Sequence, residues 1–341
     1  HRPPAPPSSG CPMDTSLIDP EIRQFIARMR ADWDRHPPLA SLPLPQARAV
    51  AEEVRAPWRQ GGPAMALTRE LNADTAAGPL RLRLHYPAAP APTDPAPTAP
   101  NAGALLPVLA YLHGGGFTLF SIDTHDRLMR EYAAAAGCVV VGVDYPLAPE
   151  AKYPVALNRL VALAGWLAEH GAALGLDAAR LALGGDSAGG NLALAAALRL
   201  RDAGRGHAIC GLLLNYGAFD SHCSDAAEAL HGGPGAILDR AEMQYYWANY
   251  LRTPADAEDP YACPIHAALA GLPPCFLAVA ELDVIAEQSH AMAAALAAAG
   301  VRADLRVYQG ATHSFLEAMS VSALARAAIA DGAAFLKEVL A

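Results

Sequence analysis

Short apolar runs alternate with segments of helical spacing along most of the chain, and this alternation constrains the fold more than any other feature. Strands that are separated by helices pair in parallel, and the helices then cover both faces of the sheet. The sequence therefore predicts an α/β fold with a mostly parallel central sheet. Strand-like runs occupy residues 80–86, 107–112, 138–143, 180–183, 211–215, 275–280 and 304–308, and helix-like segments occupy residues 126–136, 155–170, 188–203, 286–299 and 321–340.

Two segments outside this alternation are candidates for a cap over the sheet. Residues 14–60 precede the first strand signal and contain two helical patterns. The first begins at Asp19-Pro20, a capping side chain followed by a proline suited to the first helical turn, and the second covers about 45–56. Residues 217–263 interrupt the later alternation with polar and aromatic residues. Both segments are expected to be cap material, although helices that merely cover the core would give the same pattern.

The rest of the chain is expected to form one core domain. Of the 341 residues, 53% are hydrophobic and 17% are charged, so a sizeable buried core can be built. We assign residues 61–216 and 264–341 to this core. Residues 87–103, rich in proline and alanine, are expected to form a surface loop within it, and residues 1–13 a disordered tail or tag.

Charge, hydropathy and cysteine spacing argue against several classes of protein. The formal net charge of -9 provides no basic footprint for a nucleic acid. No apolar stretch reaches the roughly 18 residues that cross a bilayer, so no membrane span is expected. The six cysteines form no C-x-x-C pair and lack zinc-ligand spacing, so we predict no metal site. Their scattered pattern favours a reducing compartment, and we expect a cytoplasmic location.

A candidate nucleophile lies in the sequence Gly185-Asp186-Ser187-Ala188-Gly189. The G-x-S-x-G pattern follows a predicted strand and opens a predicted helix, which is the setting of a serine held in a sharp, strained turn. Such a turn projects the serine hydroxyl from the carboxyl edge of the sheet, where ligands bind in open α/β folds. The sequence therefore predicts Ser187 as a catalytic nucleophile.

A glycine-rich turn, His113-Gly114-Gly115-Gly116, follows another predicted strand. Its backbone N–H groups can approach a ligand closely, as in the oxyanion holes of lipases and esterases, together with the N–H after the nucleophile. We predict Gly114, Gly115 and Ala188 as the oxyanion donors. His113 precedes these donors and is expected to organise the loop, not to act as a base.

The expected acid and base also follow strands of the predicted sheet. His313 comes just after the last strand and Asp283 a few residues after the preceding one, which places both at the same edge as Ser187. The order Ser, Asp, His along the chain is that of the α/β hydrolases. We therefore predict His313 as the base and Asp283 as the acid, with Glu281 and Glu287 as rival acids.

These motifs together resemble the hormone-sensitive-lipase family (family IV) of α/β-hydrolase esterases, and bacterial acetyl esterases are the nearer match. The similarity runs from about Leu80 to the C-terminus. The residue after the acid's strand, Asp283, is followed by Val284-Ile285 where the family usually has Pro-Leu, and Ser314 and Pro146 replace a frequent glycine and arginine. The segments that carry the resemblance are Tyr111-Leu112-His113-Gly114-Gly115-Gly116-Phe117, Ser121–Arg130, Val143-Asp144-Tyr145-Pro146-Leu147-Ala148-Pro149-Glu150, Gly185-Asp186-Ser187-Ala188-Gly189-Gly190 and Pro273-Pro274-Cys275-Phe276.

The resemblance implies an α/β-hydrolase fold with a helical cap and a carboxylesterase that hydrolyses short-chain acyl esters through an acyl-enzyme. In the family the nucleophile corresponds to Ser187, the acid to Asp283, the base to His313 and the oxyanion glycines to Gly114 and Gly115. No cofactor or metal is implied, the partner is a small-molecule ester, and a homo-oligomer stays open. Alternatives are a longer-chain lipase, a lactonase or an amidase on the same triad. A non-catalytic ligand-binding receptor is a weaker alternative, since such relatives typically lack the base, and an additional scaffold role through the cap stays open.

Overall fold

A computed structural model describes residues 13–89 and 105–341, and within them one eight-stranded sheet runs through the protein. Its strand order is β1-β2-β4-β3-β5-β6-β7-β8, with β1 and β2 antiparallel to their neighbours and the other six strands parallel. The mostly parallel sheet predicted from the sequence is thereby confirmed. The strands are β1 (Leu67–Thr75), β2 (Gly78–Tyr86), β3 (Leu106–Leu112), β4 (Val139–Asp144), β5 (Leu176–Asp186), β6 (Gly211–Asn215), β7 (Cys275–Leu282) and β8 (Ala303–Thr312).

Helices connect the strands and pack on both faces of the sheet. Seven of those in the described residues lie close to their predicted positions, and the two within residues 217–263 were not predicted as helices. Buried side chains form two clusters, one on each side, and the central strands β3, β5 and β6 contribute to both. The helices of the described residues are α1 (Pro20–Trp33), α2 (Leu44–Arg55), α3 (Asp126–Ala136), α4 (Val155–His170), α5 (Ala188–Asp202), α6 (Asp225–His231), α7 (Arg240–Tyr250), α8 (Ala286–Ala298) and α9 (Ala323–Val339).

The edge strand β1 was not predicted from the sequence. It pairs on one side only, with β2, and most of its side chains are exposed or half-buried. An edge strand with this much solvent contact needs few apolar residues, so its sequence lacks the apolar run that identified the buried strands. Two predicted strands are also longer than expected, since β5 covers Leu176–Asp186 where 180–183 was predicted, and β8 extends to Thr312 where the prediction ended at 308.

The carboxyl ends of five parallel strands, β3 and β5 to β8, meet at one edge of the sheet. Leu112 at the end of β3 pairs with Gly185 of β5, and Asp186 pairs with Asn215 at the end of β6. On the far side, Leu282 of β7 pairs with Thr312 of β8. The register therefore brings the glycine loop, the serine turn and the two loops after β7 and β8 to the same edge.

The N-terminal segment, residues 14–60, is fixed to the core by its first two helices. The Asp19 side chain accepts hydrogen bonds from the first turn of α1, as the sequence predicted. Phe25 of α1 packs edge-on against Trp58 at 4.5 Å between ring centroids. From α2, the Arg48 guanidinium donates to the Thr118 and Ala148 carbonyls and pairs with a carboxylate of the core. These contacts hold both helices beside the sheet edge.

The middle segment, residues 217–263, contains α6 and α7. A capping box between Asp239 and Glu242 begins α7. At its other end the Lys152 ammonium donates to three backbone carbonyls, 2.7 to 3.0 Å away, which satisfies groups that a helix C-terminus leaves without partners. Tyr250 of α7 stacks on Phe117 at 3.8 Å. The C-terminal end of α7 is thereby fixed to the core.

Two predictions fall largely outside the described residues, namely the tail 1–13 and the loop 87–103. Met13 is described and is buried among core side chains, so the predicted tail ends before it. The cysteines within 13–89 and 105–341 are all unpaired. In the same ranges, no helix combines the length and the apolar character that crossing a bilayer requires.

Candidate active site

A cavity of about 570 Å³ opens at the carboxyl edge of the sheet. Its wall includes residues of the glycine loop, the serine turn and the loop after β8, together with residues from both the N-terminal and the middle segments. Most of the wall is apolar. Arg30, Arg55 and Glu242 are charged exceptions, and burial raises the pKa of Glu242 to about 7. The cavity therefore offers an apolar pocket with a few polar groups, as small-molecule sites usually do.

Ser187 lies in a strained turn between β5 and α5. Its φ of 54° is in the left-handed region, which costs energy for a residue with a side chain. The glycines on either side are required, because a Cβ on Gly185 or Gly189 would collide with the Leu112 carbonyl oxygen of the neighbouring strand. Hydrogen bonds fix the turn, from the Ser187 N–H to the Asn215 carbonyl at 2.9 Å and from a following N–H to the Ser187 carbonyl. The turn holds the serine at the cavity wall.

Ser187, His313 and Asp283 form a continuous hydrogen-bonded chain. Nε2 of His313 is 2.9 Å from the Ser187 Oγ, and Nδ1 of His313 is 2.7 Å from Asp283 Oδ2. Asp283 is buried, and its other oxygen accepts from the Ile285 N–H at 3.0 Å. The edge of the Tyr216 ring lies against the imidazole at 5.1 Å between centroids. Both carboxylate oxygens and both ring nitrogens are thereby engaged.

The two rival acids contact other groups. The Glu281 carboxylate accepts from the Gly310 N–H at 2.7 Å and is exposed. The Glu287 carboxylate binds the backbone and hydroxyl of Ser224 at the start of α6. Of the three acids considered from the sequence, the structure therefore brings Asp283 to the imidazole.

The glycine loop requires one correction. Gly114 was expected to be an oxyanion donor, but its N–H donates to Asp186 Oδ1 at 3.1 Å, because this buried carboxylate needs donors. Gly115, Gly116 and Ala188 line the cavity, and their N–H groups donate to no other group in the part of the chain that the structure describes. The donors available to a ligand are therefore Gly115, which was predicted, Gly116, which was not, and Ala188 at the start of α5.

His113 organises the loop, in agreement with the expectation. Its ring stacks on Tyr145 at 4.4 Å, and the Tyr145 hydroxyl donates to the His113 carbonyl at 2.7 Å. Burial, together with the nearby charge of His125, lowers the pKa of His113 to about 3. The ring is therefore neutral at neutral pH, and its Nδ1–H donates to the Gly114 carbonyl at 2.7 Å.

A buried charged cluster behind the serine turn was missed by the sequence analysis. Nε2 of His125 is 3.1 Å from Asp186 Oδ2 and 3.0 Å from Glu317 Oε1, and the Arg55 guanidinium pairs with the second oxygen of Glu317. Burial lowers the pKa of Arg55 to about 10, which leaves it charged at neutral pH. The sequence contains only weak indications of this cluster. His125 lies in the Ser121–Arg130 segment that carried the resemblance, and Glu317 follows the predicted base by one helical turn.

The same cluster is the one group of metal-ligand type found within the described residues. The nitrogen of His125 and the oxygens of Asp186 and Glu317 lie within 4.8 Å of one another. However, the Arg55 cation already pairs with Glu317. A backbone N–H and a tyrosine hydroxyl already donate to Asp186. These groups satisfy one another, so the donor set fits an internal ion network better than a metal site.

Comparison with known proteins agrees with this geometry. A family model described as alpha/beta hydrolase fold matches residues 109–317. An acetyl esterase from Salmonella schwarzengrund is 37% identical over 283 residues, which is 82% of this chain and 82% of the relative. Among solved structures, a hyperthermophilic esterase from Pyrobaculum calidifontis matches with a TM-score of 0.84 and 31% identity, over 95% of this chain and 99% of its own. A thermostable esterase from Pseudomonas putida also matches with a TM-score of 0.84 and 31% identity, covering 98% and 99% of the two chains.

Each of these proteins is an esterase by name, and the matches span the sheet, the glycine loop and the serine turn. The sequence identities of 31–37% over most of this chain support a common family as well as a common fold. We conclude that this chain belongs to the hormone-sensitive-lipase-like branch of the alpha/beta hydrolase family and is a serine carboxylic ester hydrolase.

Proposed function

We propose that the protein hydrolyses short-chain acyl esters with Ser187 as nucleophile, His313 as base and Asp283 as the acid that orients it. The observation that carries this proposal is the pair of hydrogen bonds, 2.9 and 2.7 Å long, that joins the three side chains at the wall of one cavity. A serine hydroxyl becomes a nucleophile when an adjacent base accepts its proton. The chain of hydrogen bonds provides that base and holds it in one tautomer.

In this mechanism the Ser187 hydroxyl donates its hydrogen bond to Nε2 of His313. As Oγ attacks the ester carbonyl, that proton moves to the imidazole, and it then passes to the leaving alcohol. Asp283 accepts a hydrogen bond from the Nδ1–H throughout and stabilises the imidazolium. A water molecule, activated by the same imidazole, then cleaves the acyl-enzyme and releases the carboxylic acid.

The negative charge that develops on the carbonyl oxygen is received by the backbone. Gly115, Gly116 and Ala188 supply the candidate N–H donors, and the field at the N-terminus of α5 favours the same charge. Removal of one such donor typically costs about 100-fold or more in rate. The N-terminal and middle segments form the cap in this proposal, because they supply much of the wall around the reacting groups.

The preference for short acyl groups rests on similarity to the acetyl esterase of Salmonella schwarzengrund. The cavity volume of about 570 Å³ favours a second candidate, an esterase for longer acyl chains, since an acetyl group alone fills a small part of it. The alcohol half of the substrate also occupies this space. Rates on p-nitrophenyl esters from acetate to dodecanoate separate the two candidates, and a maximum at eight carbons or more would exclude the short-chain preference.

The nucleophile is tested with Ser187→Ala. This variant should lose both fluorophosphonate labelling and p-nitrophenyl acetate turnover, whereas Ser314→Ala, which removes a second serine of the cavity, should retain both. Turnover that persists in Ser187→Ala would remove the mechanism.

The acid is tested with a matched pair of variants. Asp283→Asn should lower kcat about 10,000-fold, as removal of the equivalent carboxylate does in a comparable triad. Glu281→Gln, two residues before Asp283 and hydrogen-bonded to Gly310, should change kcat less than about threefold. A larger loss in Glu281→Gln than in Asp283→Asn would show that the acid is wrongly assigned.

A further inference from the structure

Four charged side chains lie behind the serine turn, and the proposed mechanism uses none of them directly. Asp186 ends β5, His125 precedes α3, Glu317 follows β8 and Arg55 ends α2. Each side chain is at most 6% exposed. Burying charges is costly unless they are paired and hydrogen-bonded, so this arrangement must be close to electrically balanced.

The hydrogen bonds around His125 determine where its protons lie. Nε2 faces two carboxylate oxygens, Oδ2 of Asp186 at 3.1 Å and Oε1 of Glu317 at 3.0 Å, so it must carry a hydrogen. Nδ1 is 2.8 Å from the Thr124 hydroxyl oxygen. That hydroxyl also accepts from the Ser121 N–H at 3.2 Å and contacts the Ser121 carbonyl at 2.9 Å, and when its single hydrogen goes to that carbonyl it accepts from Nδ1. With a hydrogen on both nitrogens the ring is an imidazolium, the state that the two buried carboxylates facing Nε2 favour.

The charges balance in this state. Asp186 and Glu317 contribute two negative charges, and Arg55 and His125 contribute two positive ones. The other ionisable groups near the ring agree with this balance. The ring of His113, 5.6 Å away between centroids, is neutral because its pKa is lowered to about 3.

The pKa of Asp186 is lowered overall. Burial alone would raise it, but the His125 charge and the hydrogen bonds from His125 and Tyr111 outweigh burial.

We propose that His125 is a positively charged positioning residue: as an imidazolium it keeps the Asp186 carboxylate ionised, and through Asp186 it holds the glycine loop in place for catalysis. This inference rests on the proposed triad and oxyanion donors. Asp186 Oδ1 accepts from the Gly114 N–H at 3.1 Å and from the Tyr111 hydroxyl at 2.9 Å. The Gly114 N–H therefore anchors the loop, and the next two N–H groups are left free to face the substrate.

The consequence for the reaction concerns kcat more than binding. Without the positive charge, Asp186 either takes up a proton or stays buried and unpaired, and in both cases its hold on Gly114 weakens. Loss of alignment by about 1 Å can cost about 100-fold in rate. Substrate affinity depends mainly on the side chains that α1 and α7 contribute to the cavity wall, and these do not belong to the cluster.

The first test observes the protons directly. Neutron diffraction of the unmodified protein at about pH 7 should show deuterons on both Nδ1 and Nε2 of His125. A bare nitrogen at either position would overturn the proposal. This measurement needs no variant and no activity, so its outcome is independent of whether the triad assignment holds.

The second test measures function in His125→Asn. The concentration of active sites is taken from complete labelling with a fluorophosphonate. We expect kcat per labelled site to fall about 100-fold and KM to stay within about threefold. His85→Asn is the matched control, because His85 is equally buried and faces a different carboxylate, that of Asp126. It should leave kcat per labelled site unchanged.

The two variants separate positioning from folding. A purely structural role for His125 would lower the amount of labelled protein in His125→Asn and leave its kcat per labelled site unchanged, which would refute the proposal. If His125→Asn does not fold, His125→Gln replaces it, because it also removes the ring and its charge and offers an amide of different reach. A value of kcat per site unchanged in that variant would count equally against the proposal. Failure of the triad itself is recognised separately, by turnover in Ser187→Ala.

Discussion

Replacement of His113 with asparagine should remove one defined part of the protein's sensitivity to acid. The His113 ring is buried against Tyr145, its Nδ1–H donates to the Gly114 carbonyl, and burial lowers its pKa to about 3. In the unfolded chain the same ring binds a proton near pH 6.5. Between these two values the unfolded state binds one proton more than the folded state, so the free energy of unfolding falls as the pH drops through 6.5 toward 3.

The size of this loss follows from the shift. One pH unit corresponds to about 1.4 kcal/mol, so at about pH 5 the histidine should have cost about 2 kcal/mol of stability. Asparagine at position 113 places an amide N–H near the position of Nδ1 and does not titrate. The variant should therefore lose about 2 kcal/mol less than the unmodified protein between about pH 7.5 and pH 5.

Urea unfolding of both proteins at the two pH values measures this difference. Acidic side chains with lowered pKa values contribute to acid sensitivity in both proteins alike and cancel in the comparison. If the two proteins lose equal stability between the two pH values, the buried ring is not the neutral group that the structure indicates.

Three further changes test other parts of the site. Gly116→Ala should lower kcat about 100-fold, because the added methyl group would collide with the Tyr246 ring and displace a proposed oxyanion donor; steady-state kinetics measure this. Arg55→Met should lower the free energy of unfolding by about 3–5 kcal/mol, since it leaves Glu317 buried without its cation; urea unfolding measures this. Ser314→Gly should raise the free energy of unfolding by about 1 kcal/mol and keep kcat, since Ser314 has a φ of 63° that glycine adopts without strain.

Each of these changes has a matched control or a contradicting result. The double variant Gly116→Ala with Tyr246→Ala should regain part of the lost rate, and no recovery would show that the collision is not the cause. Arg55→Met with Glu317→Leu should regain stability, because no unpaired charge stays buried. A less stable Ser314→Gly would show that the serine side chain contributes more than the strain costs.

The sequence predicted the buried strands and the three aligned side chains for a common reason. A strand buried on both faces must be a continuous apolar run, and residues after such runs must meet at one sheet edge when the strands are parallel. The sequence alone therefore predicts that Ser187, Asp283 and His313 lie together. The exposed edge strand β1 carries no such pattern, so it was not recognised.

The errors at the site arose where side chains from distant parts of the chain contact each other. Asp186 was treated as the variable position of the G-x-S-x-G pattern, yet it accepts the Gly114 N–H and so excludes that glycine from the oxyanion donors. The ion cluster of Arg55, His125 and Glu317 leaves no periodic mark in the sequence. Single charged residues in a helix or loop normally face water, and their pairing became visible in the three-dimensional arrangement.

The reacting groups and the walls around them come from different parts of this molecule. Ser187 and His313 are held by the parallel sheet, while α1, α2 and α7, drawn from two separate stretches of the chain, enclose the space above them. Selection for a new ester can therefore act on the cavity-facing side chains of α1 and α7 while the proposed triad stays unchanged, whereas α2 also carries Arg55 of the ion cluster. The protein is therefore suited to the exchange of cap helices, since helices taken from a relative would change the substrate specificity and leave the reaction the same.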